Sequence, residues 1–194
     1  RITQRKNSFW YKKHIHAYEA IKLAVELRNL IIENDLIVQS FENGLHQYCN
    51  NWWRIDRTYR RCVFHTRSYE QPGLMKPLKE WVENQYINNA LRPLTNNWSD
   101  QVKDLTHWSS VNLLSQKSFY TTYVHTPLTS SKLKRLFVVI SDALRYEAAH
   151  DFVDRLKSQS SKNWDVKINA LLGVLPSYTQ LGMASLLPGN KINI

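Results

Sequence analysis

The sequence predicts two regions of different architecture: an all-helical region over residues 1–128, followed over 134–194 by the opening βαβα of an α/β domain with a parallel sheet. Three observations carry this. From Phe9 to Trp108, apolar residues recur at steps of three and four, the period of a helix with one buried face. After a polar stretch, Thr129-Ser130-Ser131-Lys132, comes the continuous apolar run Leu136-Phe137-Val138-Val139-Ile140, as expected for a strand covered on both faces. Composition changes across the same place: 19 basic, 11 acidic and 18 aromatic residues stand up to Lys134, against 7, 5 and 5 beyond it. Two domains or subdomains produce such a contrast.

Taken in order, Ile15, Tyr18, Ile21 or Lys22, Val25, Leu30 and Ile31 predict one amphipathic helix from Phe9 to Asn34, with no Gly or Pro to interrupt it. Phe41, Leu45, Tyr48, Trp52, Ile55, Tyr59 and Cys62 alternate steps of four and three. This seven-residue seam predicts a single helix over 35–68, packed antiparallel on the first and tolerating Gly44. Gln71-Pro72-Gly73 ends it. Leu74, Leu78, Trp81, Val82 and Gln85 mark a third helix running to a break at Arg92-Pro93, and Leu94, Trp98, Val102, Leu105 and Trp108 a fourth. Tyr120 to Pro127 is β-rich and ends in proline, so it is expected to be extended. Strands are expected at Leu136 to Ile140 and Val166 to Leu172, and helices at Glu147 to Gln159 and Leu181 to Leu187. Strand, helix, strand, helix makes a βαβ unit with parallel pairing.

In an open α/β sheet, ligands bind outside the carboxyl ends of the strands. Asp142 follows the first expected strand and Thr179 the second, so neighbouring strands would bring a carboxylate and a hydroxyl to one edge. These residue types suit a metal-assisted nucleophile. The carboxylate holds a divalent cation, the cation lowers the pKa of the hydroxyl, and the alkoxide attacks phosphorus or sulfur. Thr179 would also open a helix, whose free N–H groups suit an anion. The same residues equally suit plain helix capping, and spacing alone leaves both readings open. Arg145 and Glu147 flank the Asp142 loop; Arg145 suits either a bidentate substrate-phosphate contact or a local ion pair with Glu147.

Two long stretches, Val138-Val139-Ile140-Ser141-Asp142-Ala143-Leu144-Arg145-Tyr146-Glu147 and Leu175-Pro176-Ser177-Tyr178-Thr179-Gln180-Leu181-Gly182-Met183-Ala184-Ser185-Leu186-Leu187-Pro188, closely resemble the PglZ family, the alkaline-phosphatase-superfamily proteins of the bacterial BREX anti-phage systems. Trp53-Arg54-Ile55-Asp56-Arg57-Thr58-Tyr59-Arg60 and Gln116-Lys117-Ser118-Phe119-Tyr120 resemble the region that precedes the PglZ domain. The resemblance implies an alkaline-phosphatase-like domain over 134–194 and a metal-dependent phosphoester hydrolase. Asp142 matches the first metal-ligand aspartate, and Thr179 matches the nucleophile, itself a metal ligand. It further implies two divalent metals, zinc by the family pattern, with the remaining Asp and His ligands after Ile194, so that the fragment alone is expected to be inactive. In related phosphodiesterases an Asn three positions after the nucleophile holds the substrate oxyanion, and Gly182 stands there instead. The implied partners are other subunits of a BREX defence complex. The alternative is a non-catalytic scaffold or nucleic-acid-docking subunit that retains the fold.

The formal net charge of +10 and pI near 9.6 favour acidic partners. Arg54, Arg57, Arg60 and Arg61 form a basic ridge, and Arg1, Arg5, Lys6, Lys12 and Lys13 a second basic group, interleaved with Trp10, Tyr11, Trp52 and Trp53. Such a pattern is either a nucleic-acid surface, with DNA as the partner, or a solvated helix face whose aromatics belong to the core. His14 and His16 fall on opposite faces of a helix and cannot share a metal. Cys49 and Cys62 form no CxxC and read as buried or half-buried thiols; without a secretory signal they point to the cytoplasm. No apolar run approaches the ~18 residues of a membrane span. Dinucleotide, Walker-type and zincin motifs are absent, which removes the main support for those activities. With Arg1 first and no methionine before Met75, the chain reads as a piece of a longer protein.

Overall fold

A computed structural model describes residues 2–130, 133–159 and 165–189; Arg1, Ser131 and Lys132 of the sequence reading lie outside them. The chain divides into two compact units, Arg1–Asp104 and Leu105–Ile194. The described residues are mostly helical, and no strand forms among them.

The first unit begins with α1 (Phe9–Lys13) and α2 (Ile15–Glu33), which break at His14 instead of running as one helix. Ser8 caps α1 by accepting the Tyr11 N–H at 3.2 Å. Residues 35–40 are not helical. Ser40 caps α3 (Phe41–Gln47), which continues through a π turn, Tyr48–Trp52, into α4 (Trp53–Ser68). The antiparallel packing of α4 on α2 is as expected: the Cys62 thiol meets the Ala20 carbonyl at 3.4 Å, while His16 Nδ1 lies 3.0 Å from His65 Nδ1 further along.

The seam on α3 and α4 is also as expected, with Phe41, Trp52, Ile55 and Cys62 buried. The buried face of α2 is not. Ala20, Leu23, Ala24 and Leu27 are covered, while Ile15, Ile21 and Val25 are exposed. The two alanines let the α2 and α4 backbones approach closely, so contact distance and not hydrophobicity alone selects the face. Val82 of α5 (Pro72–Tyr86) and Ala90 complete the core, and Tyr59 stacks on Tyr86 with ring centroids 3.9 Å apart.

Arg92-Pro93 does not break the chain into separate helices. A π turn, Ile87–Leu91, joins α5 to α6 (Arg92–Val102), and the Arg92 N–H reaches back five residues to the Ile87 carbonyl. The same device precedes Pro127. Tyr120–His125 is a π turn, the Thr126 N–H bonds the Thr121 carbonyl, and α7 (Thr126–Ser130) follows. The extended conformation expected for Tyr120 to Pro127 is thus replaced by helix. Proline in an α-helix meets the carbonyl four residues back and supplies no donor. A widened turn immediately before it relieves both constraints. α6 ends at Val102, leaving Leu105 and Trp108 outside the expected fourth helix.

In the second unit, α8 (Tyr146–Gln159) and α9 (Thr179–Ser185) match the expected helices to within two residues at each end. The expected strands are a correction. Residues 136–140 run without a paired neighbour, and Phe137 and Val139 are 84% and 91% exposed. Of 166–172, Leu172 alone makes a β-bridge, parallel, to Ser115. A strand satisfies its backbone groups only through a second strand. Apolar content can nominate a segment, but pairing has to be supplied elsewhere.

Candidate active site around Asp142 and Thr179

Asp142 lies on an exposed turn between residue 140 and α8. Its Oδ1 accepts the N–H of Ala143 at 2.9 Å. Ala143 has φ 54°, in the left-handed region that side chains with a Cβ rarely adopt. The residue after the aspartate thus carries a backbone conformation of some cost, a feature that recurs at functional sites. Thr179 is the first residue of α9, and the Leu175-Pro176 peptide before it is cis. Thr179 Oγ1 faces Asp142 Oδ2 at 3.5 Å, long for a hydroxyl–carboxylate hydrogen bond. Both side chains are exposed.

Neither residue caps a helix. Arg145 stands at the start of α8, where its carbonyl accepts the N–H groups of Ala148 and Ala149 at 3.0 Å each. Asp142 is three residues earlier. The N-cap of α9 is Tyr178, which makes no side-chain cap bond. The capping alternative therefore lacks its hydrogen bonds.

Arg145 is exposed, whereas the Glu147 side chain is buried at 2% exposure. Gly182 leaves the position three after Thr179 without a side chain, and its carbonyl accepts from Ser185 Oγ at 2.7 Å and Gln116 Nε2 at 3.0 Å. Gln116 belongs to a stretch singled out for its resemblance, yet no spacing rule marks it as part of a site; only the folded contacts do.

The basic ridge sits on α4. Arg54 and Arg61 are exposed and Arg57 and Arg60 half-buried, with the Arg57 guanidinium 4.6 Å from the Trp53 ring centre. Trp53 is 7% exposed and Trp52 is also buried, so these rings serve the core. On α1, Trp10 is 59% exposed, with Lys13 Nζ 5.8 Å from its ring centre; Arg5, Lys6 and Lys12 are exposed nearby in sequence.

His14 and His16 have separate partners, Tyr69 Oη at 2.9 Å and His65; the expected opposite faces of one helix do not apply, because the chain breaks at His14 and both rings meet the C-terminal end of α4. Burial, and then the His16 ring facing it, holds His65 below the usual histidine range, against an opposing pull from Glu19. Cys49 is half-buried; Cys62 is buried, and burial pushes its thiol up to about 11. Among the described residues, no three His, Cys, Asp or Glu side chains converge as a metal cluster. No helix among them is long and apolar enough to cross a membrane.

This arrangement can be set beside known proteins. Residues 119–194 match the family model of the BREX system PglZ alkaline phosphatase-like domain. Over these residues the chain is similar to the PglZ family. The likeness extends beyond the PglZ match. The chain is 31% identical over 202 aligned residues to the alkaline phosphatase-like protein BrxZ of Escherichia coli O9:H4 (strain HS), covering 98% of the chain and 23% of that protein. It is 35% identical over 195 aligned residues to the alkaline phosphatase-like protein PglZ of Bacillus cereus (strain H3081.97), covering 98% of the chain and 22% of that protein. The chain thus spans less than a quarter of the length of these curated relatives. No solved structure matches it significantly. The PglZ match begins at Phe119, so Asp142 and Thr179 fall inside it and Gln116 lies before it.

Proposed function

We propose that this chain is part of a metal-dependent phosphoester hydrolase of a bacterial anti-phage defence system, with Thr179 as nucleophile and Asp142 as metal ligand. The observation that carries the reading is the approach of Thr179 Oγ1 to Asp142 Oδ2 at 3.5 Å, across 37 residues of sequence, with neither group used as a helix cap. Two exposed oxygen donors at that separation fit a shared divalent cation, since carboxylate and hydroxyl oxygens are hard ligands. Asp142 and Thr179 would hold it, zinc by the family pattern, with further ligands supplied by other parts of the full-length protein. When bound, the cation supplies positive charge that favours the deprotonated hydroxyl and the developing phosphoryl charge.

The chain's own residues do the rest. Thr179 Oγ1 loses its proton to solvent and attacks phosphorus. The Oγ1–P bond forms as the ester P–O bond breaks, and the leaving oxygen takes up a proton. Water then cleaves the Oγ1–P bond, releasing phosphate and restoring the hydroxyl. Arg145, exposed beside the Asp142 turn, is available for a bidentate contact with the phosphoryl oxygens. Under this reading the segments 136–140 and 166–172 enter a parallel sheet in the full-length protein, as an alkaline-phosphatase-like domain requires. The partners are other subunits of the defence complex in the cytoplasm, and the chain alone does not turn over substrate.

The test is hydrolysis of p-nitrophenyl phosphate and bis(p-nitrophenyl) phosphate by the full-length protein, with and without chelator. Thr179→Ala abolishes turnover and Asp142→Asn lowers bound metal if the reading holds; metal-dependent hydrolysis that survives Thr179→Ala removes it. A second reading, nucleic-acid docking, is favoured by one observation, the exposed Trp10 with its neighbouring cations on α1. It requires DNA binding whose steep salt dependence weakens when Lys12 and Lys13, or Arg54, Arg57, Arg60 and Arg61, are neutralised.

A further inference from the structure

The geometry points to Gln116 as the residue that positions the nucleophile. This inference rests on the proposed role of Thr179 and names a contributor that lies before the PglZ match. Gln116 uses three of its groups on three partners. Its backbone N–H donates to the Leu172 carbonyl at 2.8 Å, its Oε1 accepts the Val174 N–H at 3.3 Å, and its Nε2 donates to the Gly182 carbonyl at 3.0 Å. Val174 stands five residues before Thr179 and Gly182 three after it, so one amide spans the whole turn that presents the hydroxyl.

Each partner has a reason to need it. Near the end of α9 the Leu186 N–H bonds Met183, so the Gly182 carbonyl is met by side chains, Ser185 Oγ and Gln116 Nε2. Residues 172–174 form no strand, and their backbone is held one residue at a time. Leu172 N–H bonds the Leu114 carbonyl at 2.8 Å, the Gly173 carbonyl accepts from Trp108 Nε1 at 2.7 Å, and Val174 is held by Gln116. A Cβ on Gly173 would stand 3.6 Å from Gln116 Oε1 and one on Gly182 3.9 Å from its Nε2, so the amide is closely framed by two glycines. Gln116 is therefore the one side chain among the described residues that bonds both the segment before Thr179 and the helix after it.

A nucleophile displaced by about 1 Å loses on the order of 100-fold in rate, because alignment and not binding is lost. The experiment uses the full-length protein and compares Gln116→Met, which keeps the volume and removes both amide bonds, with Ser185→Ala, which removes the other bond to Gly182 but leaves the bridge. Hydrolysis of p-nitrophenyl phosphate, vanadate inhibition, bound metal and thermal melting are measured for each. In Gln116→Met, kcat falls by roughly 10- to 100-fold, vanadate affinity falls in parallel, and KM and metal content stay within about twofold. Ser185→Ala, at a similar stability cost, keeps kcat within about threefold.

Gln116→Met with unchanged kcat per folded molecule, or Ser185→Ala with an equal loss, overturns the positioning role while Thr179→Ala remains inactive. If Gln116→Met does not fold, Gln116→Glu keeps the Val174 acceptor only, and wild-type kcat in that variant likewise overturns it. If the wild-type protein hydrolyses neither phosphoester, the reading of Thr179 fails and this inference fails with it.

Discussion

The two compact units bury different kinds of side chain. In residues 2–104 the interior is closed by Leu23, Leu27, Ile55, Cys62 and Val82, drawn from three helices within one continuous stretch, and the polar side chains buried there, Thr58 and Thr66, are uncharged. Among the described residues of 105–189, the buried set joins Val153, Leu172, Val174 and Leu181 to Glu147, Asp151 and Ser185, while the most apolar run, 137–140, stays exposed. Helices satisfy their own backbone and need only a face to pack, so neighbouring helices complete a core locally. A segment with strand composition cannot satisfy itself. The second unit instead holds the segments around Thr179 by single side-chain bridges such as Gln116 to Gly182.

The largest test of this contrast is chemical. Thr179→Ala in the full-length protein lowers phosphoester turnover by at least about 10³-fold, since nothing else can take over covalent attack. Circular dichroism melting of the helical unit stays unchanged, because Thr179 is exposed. Leu27→Ala reverses the pattern. It removes a fully buried side chain from the α2–α4 interface and costs about 2–5 kcal/mol in denaturant unfolding. A cost below about 1 kcal/mol would mean that the first core is not closed as described.

Thiol chemistry probes the same interior. With its thiol near 11 and its side chain buried, Cys62 reacts with a thiol reagent at pH 7 at least about 100-fold more slowly than an exposed cysteine, and Cys49 is labelled first. Mass spectrometry of the labelled chain after short exposure reads the order.

Acid acts on the first unit through His65. Its folded value is depressed, so the neutral ring contributes stability above the unfolded value of about 6.5. That contribution is lost as pH falls below 6.5 and through the folded value. Glu19, lowered mainly by the Tyr11 hydroxyl that donates to it, loses its contribution at lower pH in the same direction. Melting temperature therefore declines on acidification, and His65→Gln flattens the part of that decline nearest pH 6. The groups facing His65 are His16, Glu19 and Arg61. The smallest effect belongs to Val139→Asp. At 91% exposure it shifts the stability of this chain by no more than about 0.5 kcal/mol, and a larger loss would mean that the run is covered.

Much of the helical unit is legible in the sequence because its seam is local. Phe41, Trp52, Ile55 and Cys62 could be picked out by step alone, and they are buried. The face of α2 could not. Ile15, Ile21 and Val25 are the more apolar choices, but the close approach of α4 favours Ala20 and Ala24. The prolines illustrate the same limit. Pro93 and Pro127 mark places where an α-helix cannot continue unchanged, without disclosing that a π turn will carry the chain across.

Sequence by itself determined the chemistry on offer: a carboxylate and a hydroxyl in two specific phrases, the likeness to PglZ, and the helix periods around them. Tertiary structure decided their placement. It brought Asp142 and Thr179 to 3.5 Å, denied both a capping role and joined Gln116 to the turn that carries the hydroxyl. The physical reason is range. Periodicity and capping depend on residues a few positions apart, whereas pairing, burial and site geometry depend on partners tens of residues away, which only the folded chain selects.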